Sequence, residues 1–221
     1  MAKLQIYLSY FLNESTPLYG GEKGIKMVPD RAINNGDTAN TKHITFHNHS
    51  GTHIDFPNHF FDEGKVAQDY DASFWVFNEV YLLNKPADED ELISLSDEEL
   101  SVIPIGTELV LFKTGFSKFR NEDKYWTNNP GIRPEVADQL RKRCPSIRAI
   151  GMDFISLTSF QNREIGRVAH REFLGKTPIL LIEDMDLRQL VESPTQVIGL
   201  PLLLMNTDGA PITIIALNDY E

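Results

Sequence analysis

The stretch His49-Ser50-Gly51-Thr52-His53-Ile54-Asp55-Phe56-Pro57-Asn58-His59 decides how the rest of the chain is read. Five of the six histidines lie between His43 and His59, and the sixth, His170, stands far downstream. Neutral imidazole is the commonest metal ligand and the side chain best suited to moving protons near neutrality. His49 and His53 carry helical spacing, yet Gly51, the β-branched Thr52 and Ile54, and Pro57 all oppose a helix. Extended chain alternates its side chains, so the odd positions share a face. That face would carry His47, His49, His53, Asp55 and His59, with Ile54 and Phe56 turned towards a core. His49, His53 and Asp55 form a nitrogen and oxygen donor set suited to zinc, manganese or iron, with no thiolate to demand a softer metal. The histidines are interleaved with core-type residues, which excludes a histidine tag.

Upstream, residues 4–12 read as a strand with Leu4, Ile6, Leu8 and Tyr10 on one face. A signal sequence fits them poorly, because polar residues break the run and no small-residue cleavage site follows. Residues 13–40 are rich in Asn, Gly, Pro, Ser and Thr. So long an irregular segment is expected to act as a lid or binding loop, with Tyr19 and Met27 as candidates to line a pocket.

Downstream, 61–65 reads as a turn, 66–73 as irregular chain and 74–83 as a strand. Ser96 and Glu99 form a capping box for a short helix that ends before Pro104. Strands are expected over 108–113 and 147–152, the second delivering Asp153, with a helix over 134–143 between them. A helix over 164–174 would bury Ile165, Val168, Ala169 and Phe173. His170 lies on it and, taken alone, reads as structural. Residues 177–183 form an apolar strand ending in Glu183, a carboxylate that needs solvent, a cation or a metal. A short helix is expected over 187–191, and 199–204 and 210–217 flank a turn at Thr207-Asp208-Gly209. Strands outnumber helices and the helices come late, the pattern of a mixed α/β protein with several antiparallel pairs.

The 221 residues hold 21 basic and 32 acidic side chains, a formal charge of −11. That balance disfavours nucleic acid, whose phosphates demand a basic face. Arg141-Lys142-Arg143 is short and suits a helix C-terminus. No stretch approaches the roughly 20 apolar residues that cross a membrane. The single cysteine, Cys144, cannot close an intrachain disulfide and has no chemical neighbours in sequence. The expectation is one cytoplasmic domain over 1–221 with no nucleic-acid or membrane partner, assembled as a homo-oligomer, dimer or tetramer.

The run from His49 to His59 resembles the H-x-G-T-H-x-D-x-P-x-H signature of the metal-dependent cyclase family, which includes bacterial kynurenine formamidases and isatin hydrolases. Weaker marks follow in the family's order: Thr114-Gly115, Asn129-Pro130-Gly131, Gly151-Met152-Asp153, His170 leading to Glu183, Gly199-Leu200-Pro201 and Asp208-Gly209-Ala210-Pro211. The resemblance implies an α/β fold of β/β/α swivelling type, a mixed barrel-like sheet flanked by helices. It implies that His49, His53 and Asp55 hold one metal, and that His170 and Glu183, with Asp55 bridging, hold a second. His59 is implied as the catalytic proton donor and acceptor. One or two divalent ions, Zn²⁺ or Mn²⁺, are compatible with it. No tryptophan precedes Trp75, so Tyr19 is expected to take the aromatic place beside the substrate.

The reading is a metal-dependent hydrolase of a small amide, formamide or lactam, with metal-activated hydroxide as nucleophile and His59 as proton shuttle. A metal-dependent lyase or cyclase, and a metal-binding module without turnover, are its rivals.

Overall fold

A computed structural model describes residues 3–175 and 177–219. In chain order the strands are β1 (Lys3–Tyr7), β2 (Ile25–Arg31), β3 (Thr41–Phe46), β4 (His53–Asp55), β5 (Val76–Phe77), β6 (Val80–Asn84), β7 (Leu92–Ile93), β8 (Leu109–Lys113), β9 (Gly131–Ile132), β10 (Ala149–Met152), β11 (Leu180–Glu183), β12 (Gln196–Pro201) and β13 (Gly209–Asp219). The helices are α1 (Asp97–Ser101), α2 (Lys124–Thr127), α3 (Glu135–Arg143) and α4 (Arg163–Leu174).

The apolar runs of β8, β10 and β11 are buried along almost their whole length. Strands covered on both faces are the ones that pair in parallel. They do so here, in the order β6-β8-β10-β11. The other half is antiparallel: β13 pairs with β12, and β12 with β5. Between the halves lies β4, antiparallel to β11 on one edge and to β13 on the other. Strand β1 extends β13 beyond β4. The two ends of the sheet, β5 and β6, are separated in sequence only by Asn78 and Glu79, so the sheet curls almost closed. Two smaller pairs, β2 with β3 and β7 with β9, lie outside it.

Helices α3 and α4 pack on one another and α4 lies against β11. The mixed barrel-like sheet with flanking helices is the expected fold class. The capping box at α1 forms as expected, with the Ser96 hydroxyl accepting the Glu99 N–H.

Several local expectations are corrected. Residues 74–83 are not one strand, because a 3₁₀ turn (Ala72–Trp75) and the Asn78-Glu79 corner divide them. The 187–191 segment makes no helix; its chain turns at Arg188 and Gln189. The long irregular segment contains β2, which joins β3 in an antiparallel ribbon exposed along most of both strands. In α4 the stripe is rotated: Gly166, Ala169, His170 and Phe173 are buried while Val168 faces solvent.

Candidate metal centre and cavity

The extended reading of 47–59 holds only for β4. His49 sits in a turn, and His59 ends a 3₁₀ turn (Pro57–His59) begun by Pro57. The histidines nevertheless converge, because the sheet completes what the local chain does not. In the β4–β11 register His53 stands opposite Glu183, so both side chains leave the same face. On the other edge Asp55 stands opposite Gly209. A Cβ at position 209 would lie 2.5 Å from His49 Cε1 and 2.9 Å from the Ile54 carbonyl. Glycine there makes the space that the His49 ring occupies.

The floor of the site is His53, Asp55, His170 and Glu183, all buried. His53 Nδ1 donates to the Gly51 carbonyl at 2.8 Å and His170 Nδ1 to the Gly166 carbonyl at 2.9 Å. A carbonyl only accepts, so both protons are fixed on Nδ1 and the Nε2 lone pairs are left to face inward. They meet carboxylate oxygens: His53 Nε2 is 3.4 Å from Glu183 and 3.5 Å from Asp55. His170 Nε2 is 3.6 Å from both. Acceptors facing acceptors in a buried site require a cation or extra protons. Two ligands each about 2.1 Å from a tetrahedral ion stand about 3.4 Å apart, so these gaps suit a shared divalent cation.

Without a cation the same charges act on protons. Burial opposes the charged form of His170, but Asp55 and Glu183 outweigh it and push its pKa up to about 9. Burial likewise opposes a charged His49, and Asp55 with Asp208 pushes it up to about 10. His53 is raised against burial by Asp55. Asp55 is held well below the usual carboxylate range: burial would raise it, and His49, His170 and His53 prevail.

His49 and His59 form the outer part of the site. His49 Nδ1 lies 2.8 Å from Asp55 and its Nε2 2.9 Å from Asp208. His59 Nδ1 donates to the same Asp208 carboxylate at 2.6 Å. The rings of His49 and His59 are 4.2 Å apart between centroids, and the His59 side chain keeps 31% exposure. Ligating atoms of His49, Asp55 and His59 lie within 4.8 Å of one another, as do those of His53, Asp55 and Glu183. Asp55 is the carboxylate common to both groups. Glu183 is steadied by the Leu157 N–H at 2.7 Å and the Ser156 hydroxyl at 3.2 Å.

His49, His53, Asp55, His59, His170 and Glu183 line a cavity of about 570 Å³. Its outer wall comes from the irregular segment, residues 17–20 and Glu22, including Tyr19. Met27, the other pocket candidate, lies in β2 instead. His47 is exposed at the cavity mouth. Asp208, which binds two of the histidines, enters the sequence reading as part of a turn and of the Asp208-Gly209-Ala210-Pro211 mark, with no role at the site. The signal for it was present: an acid beside a glycine, within a family mark, at the end of a hairpin.

The family model Cyclase ("Putative cyclase") matches residues 6–158, a span that holds the whole His49–His59 run. A kynurenine formamidase of Bacillus mycoides (strain KBAB4) is 29% identical over 211 residues, 94% of each chain. One from Bacillus anthracis is 30% identical over 176 residues, 79% of this chain and 78% of the relative. The solved structure of isatin hydrolase A from Labrenzia aggregata bound to benzyl benzoate has the same fold, with a TM-score of 0.82 at 22% identity, covering 98% of this chain and 94% of that one. With its signature histidines gathered at one cavity of that shared fold, the chain belongs to the cyclase family.

Proposed function

We propose that this chain is a metal-dependent hydrolase, one domain over 1–221, that opens a carbon–nitrogen bond other than a peptide bond in a small amide, formamide or lactam. The names of its relatives, a formamidase and an isatin hydrolase, support that substrate class. The observation that carries the reading is Asp55, one buried carboxylate reached by His49, His53 and His170 at a cavity, with the solvent-reaching imidazole of His59 beside it.

In this reading His49, His53 and Asp55 hold one divalent ion, and His170 and Glu183, with Asp55 between, hold a second. Zinc or manganese, as one ion or two, suits these donors. When bound, such an ion supplies Lewis acidity and lowers the pKa of a water in its shell to about 7. The protein's own residues do the rest. Asp208 accepts the Nδ1 proton of His59, which leaves Nε2 free as the basic nitrogen. His59 then takes the proton of the attacking water and returns it to the departing nitrogen, and Asp208 balances the charge it carries in between. Tyr19 on the cavity wall supports the substrate's ring.

No helix among the described residues is long and apolar enough to cross a membrane. A lone buried cysteine suits a reducing cytoplasm. The β2–β3 ribbon, with Val28 and Ile44 exposed, supports assembly as a homo-oligomer.

The test is His59→Ala, assayed on aryl formamides, cyclic amides and esters with metal content measured alongside. The expected result is retained metal and a turnover lowered roughly 10²–10⁴-fold. Near-normal turnover removes His59 from the mechanism, and loss of metal makes it a ligand. A metal-loaded wild type that turns over no formamide or lactam overturns the hydrolase reading.

A further inference from the structure

Asn129-Pro130-Gly131 is one of the marks picked out in the sequence, yet none of its three residues lines the cavity. All three are buried, and Asn129 has no exposed surface. A carboxamide taken wholly out of water must find partners for both its amide donors and its oxygen. Asn129 finds them. Its Nδ2 donates to the carbonyls of Pro130 at 2.8 Å, Thr158 at 2.8 Å and Ser156 at 3.3 Å. Its Oδ1 accepts the Phe160 N–H at 3.1 Å. Three of these four partners belong to one stretch, 156–160, which lies between β10 and α4.

The backbone closes the same contact. The Ile132 N–H donates to the Leu157 carbonyl at 3.0 Å. Pro130 has no N–H to leave unpaired in this buried run. A Cβ at position 131 would stand 2.6 Å from the Ser159 nitrogen and 2.9 Å from the Leu157 carbonyl oxygen, so glycine is what lets the two segments lie this close.

On its other side the 156–160 stretch supports two of the candidate ligands. The Leu157 N–H and the Ser156 hydroxyl both donate to Glu183 Oε1, and the Ser156 oxygen accepts the Thr158 N–H at 3.2 Å. The Thr158 hydroxyl lies 3.2 Å from His170 Nδ1, beside the Gly166 carbonyl that takes the ring proton. The other donors are steadied elsewhere. Asp208 meets His49, the Gly51 carbonyl holds His53, and His49 meets Asp55.

We propose that Asn129 is a positioning residue for metal binding. Through the 156–160 stretch it holds Glu183 and His170 in place, while His49 and His53 keep their own supports. This rests on the metal site of the proposed function and on nothing assumed about the substrate. It also gives the Asn129-Pro130-Gly131 run a physical reason: one amide, one missing donor and one missing side chain, all facing the same stretch of backbone.

The experiment measures Zn²⁺ affinity by competition with a chromogenic chelator, and the imidazole signals of the ¹⁵N-histidine-labelled metal-free protein, in wild type and Asn129→Asp. The substitution is nearly isosteric and puts an acceptor where three carbonyls need a donor. Losing the partner that orients a metal ligand lowers affinity by about 10–100-fold, and that fall is expected here. The His170 signals should move, with those of His49 and His53 unchanged. Wild-type affinity in the variant, or an unmoved His170, overturns the proposal. Displacement of all three histidines together also overturns it, because the role of Asn129 is then general to the fold. If Asn129→Asp does not fold, Asn129→Ser, which keeps one hydroxyl donor, faces the same two readouts with a smaller loss expected. A wild type that takes up no Zn²⁺ removes the metal-dependent reading and this proposal with it. A zinc-binding wild type matched by its Asn129 variant removes this proposal alone.

Discussion

The residue after Glu183 offers the sharpest stability test. Asp184 has φ +52°, a left-handed conformation that Asp tolerates better than most residues. Its side chain is 2% exposed. The carboxylate receives Arg120 Nε at 2.8 Å and Nη2 at 2.6 Å, a two-pronged pair, and the Tyr125 hydroxyl at 2.6 Å. Its backbone carbonyl accepts the Thr52 hydroxyl at 2.6 Å, immediately before His53. The pair therefore anchors the chain on both sides of the candidate metal floor. Arg120→Met keeps most of the packing of the stem against Tyr10, whose ring the guanidinium covers at 3.8 Å. It leaves a buried carboxylate with a hydroxyl but no counter-charge, which costs about 3–5 kcal/mol. At about 2.1 cal/mol/K per residue, the unfolding entropy of this chain is about 0.46 kcal/mol/K, so Tm should fall by about 6–11 °C. Calorimetry at matched metal content measures it. Asp184→Asn keeps the left-handed conformation and removes the charge. The double variant should lose clearly less than the sum of the two single losses, because the second change removes the charge that the first one strands. A fall under about 2 °C for Arg120→Met, or strict additivity in the double variant, would show that the pair carries no such weight.

Three further outcomes follow from the same geometry. Asp55→Ala should leave less than about a tenth of an equivalent of metal after reconstitution, since the carboxylate common to both donor groups is gone. Glu183→Ala should weaken binding, and elemental analysis showing full occupancy in both variants would mean the site is misassigned. Gly209→Ala should cost about 1–3 kcal/mol and loosen metal binding, because the new Cβ displaces the His49 ring while the Ile54 carbonyl behind it cannot give. Wild-type Tm and metal affinity in that variant would count against the steric argument. The metal-free protein should lose stability as pH rises. His49 and His170 have folded pKa values of about 10 and about 9 against an ordinary 6.5, so the folded form holds protons that the unfolded chain has released. Their contribution is complete below about pH 6.5 and disappears as pH passes through 9 to 10. A Tm of the metal-free protein that stays flat or climbs over that window would contradict it.

The parts of the fold that could be read from sequence are those whose burial is strongly one-sided or complete. The apolar runs that became β8, β10 and β11 announce themselves, and so do the capping box of α1 and the basic end of α3. The β2–β3 ribbon does not, because a strand exposed on both faces has no period of two, and Pro29 lies within β2. On α4, counting apolar residues does not locate the buried stripe. Gly166 and His170, one small and one polar, occupy the inner face because Thr158 and the acidic floor press against them. The six residues expected at the site are brought together, but His49 and His59 reach it from turns and not from one extended face. Their common partner, Asp208, lies about 150 residues away in sequence, and its role is set by sheet pairing, which periodicity does not report.

That pairing also explains why so short a strand can govern the site. β4 has three residues and contributes His53 and Asp55, yet it is the seam between the parallel and antiparallel halves of the sheet. Glu183 arrives from the parallel side on β11, and Asp208 from the antiparallel side at the start of β13. His170 reaches the floor from the helix packed on β11. A cation held among these groups would tie both halves to β4, and binding only the folded seam it would stabilise the whole sheet by mass action. The acceptor-rich floor, destabilising without a positive charge, then becomes the point where metal binding and folding are coupled.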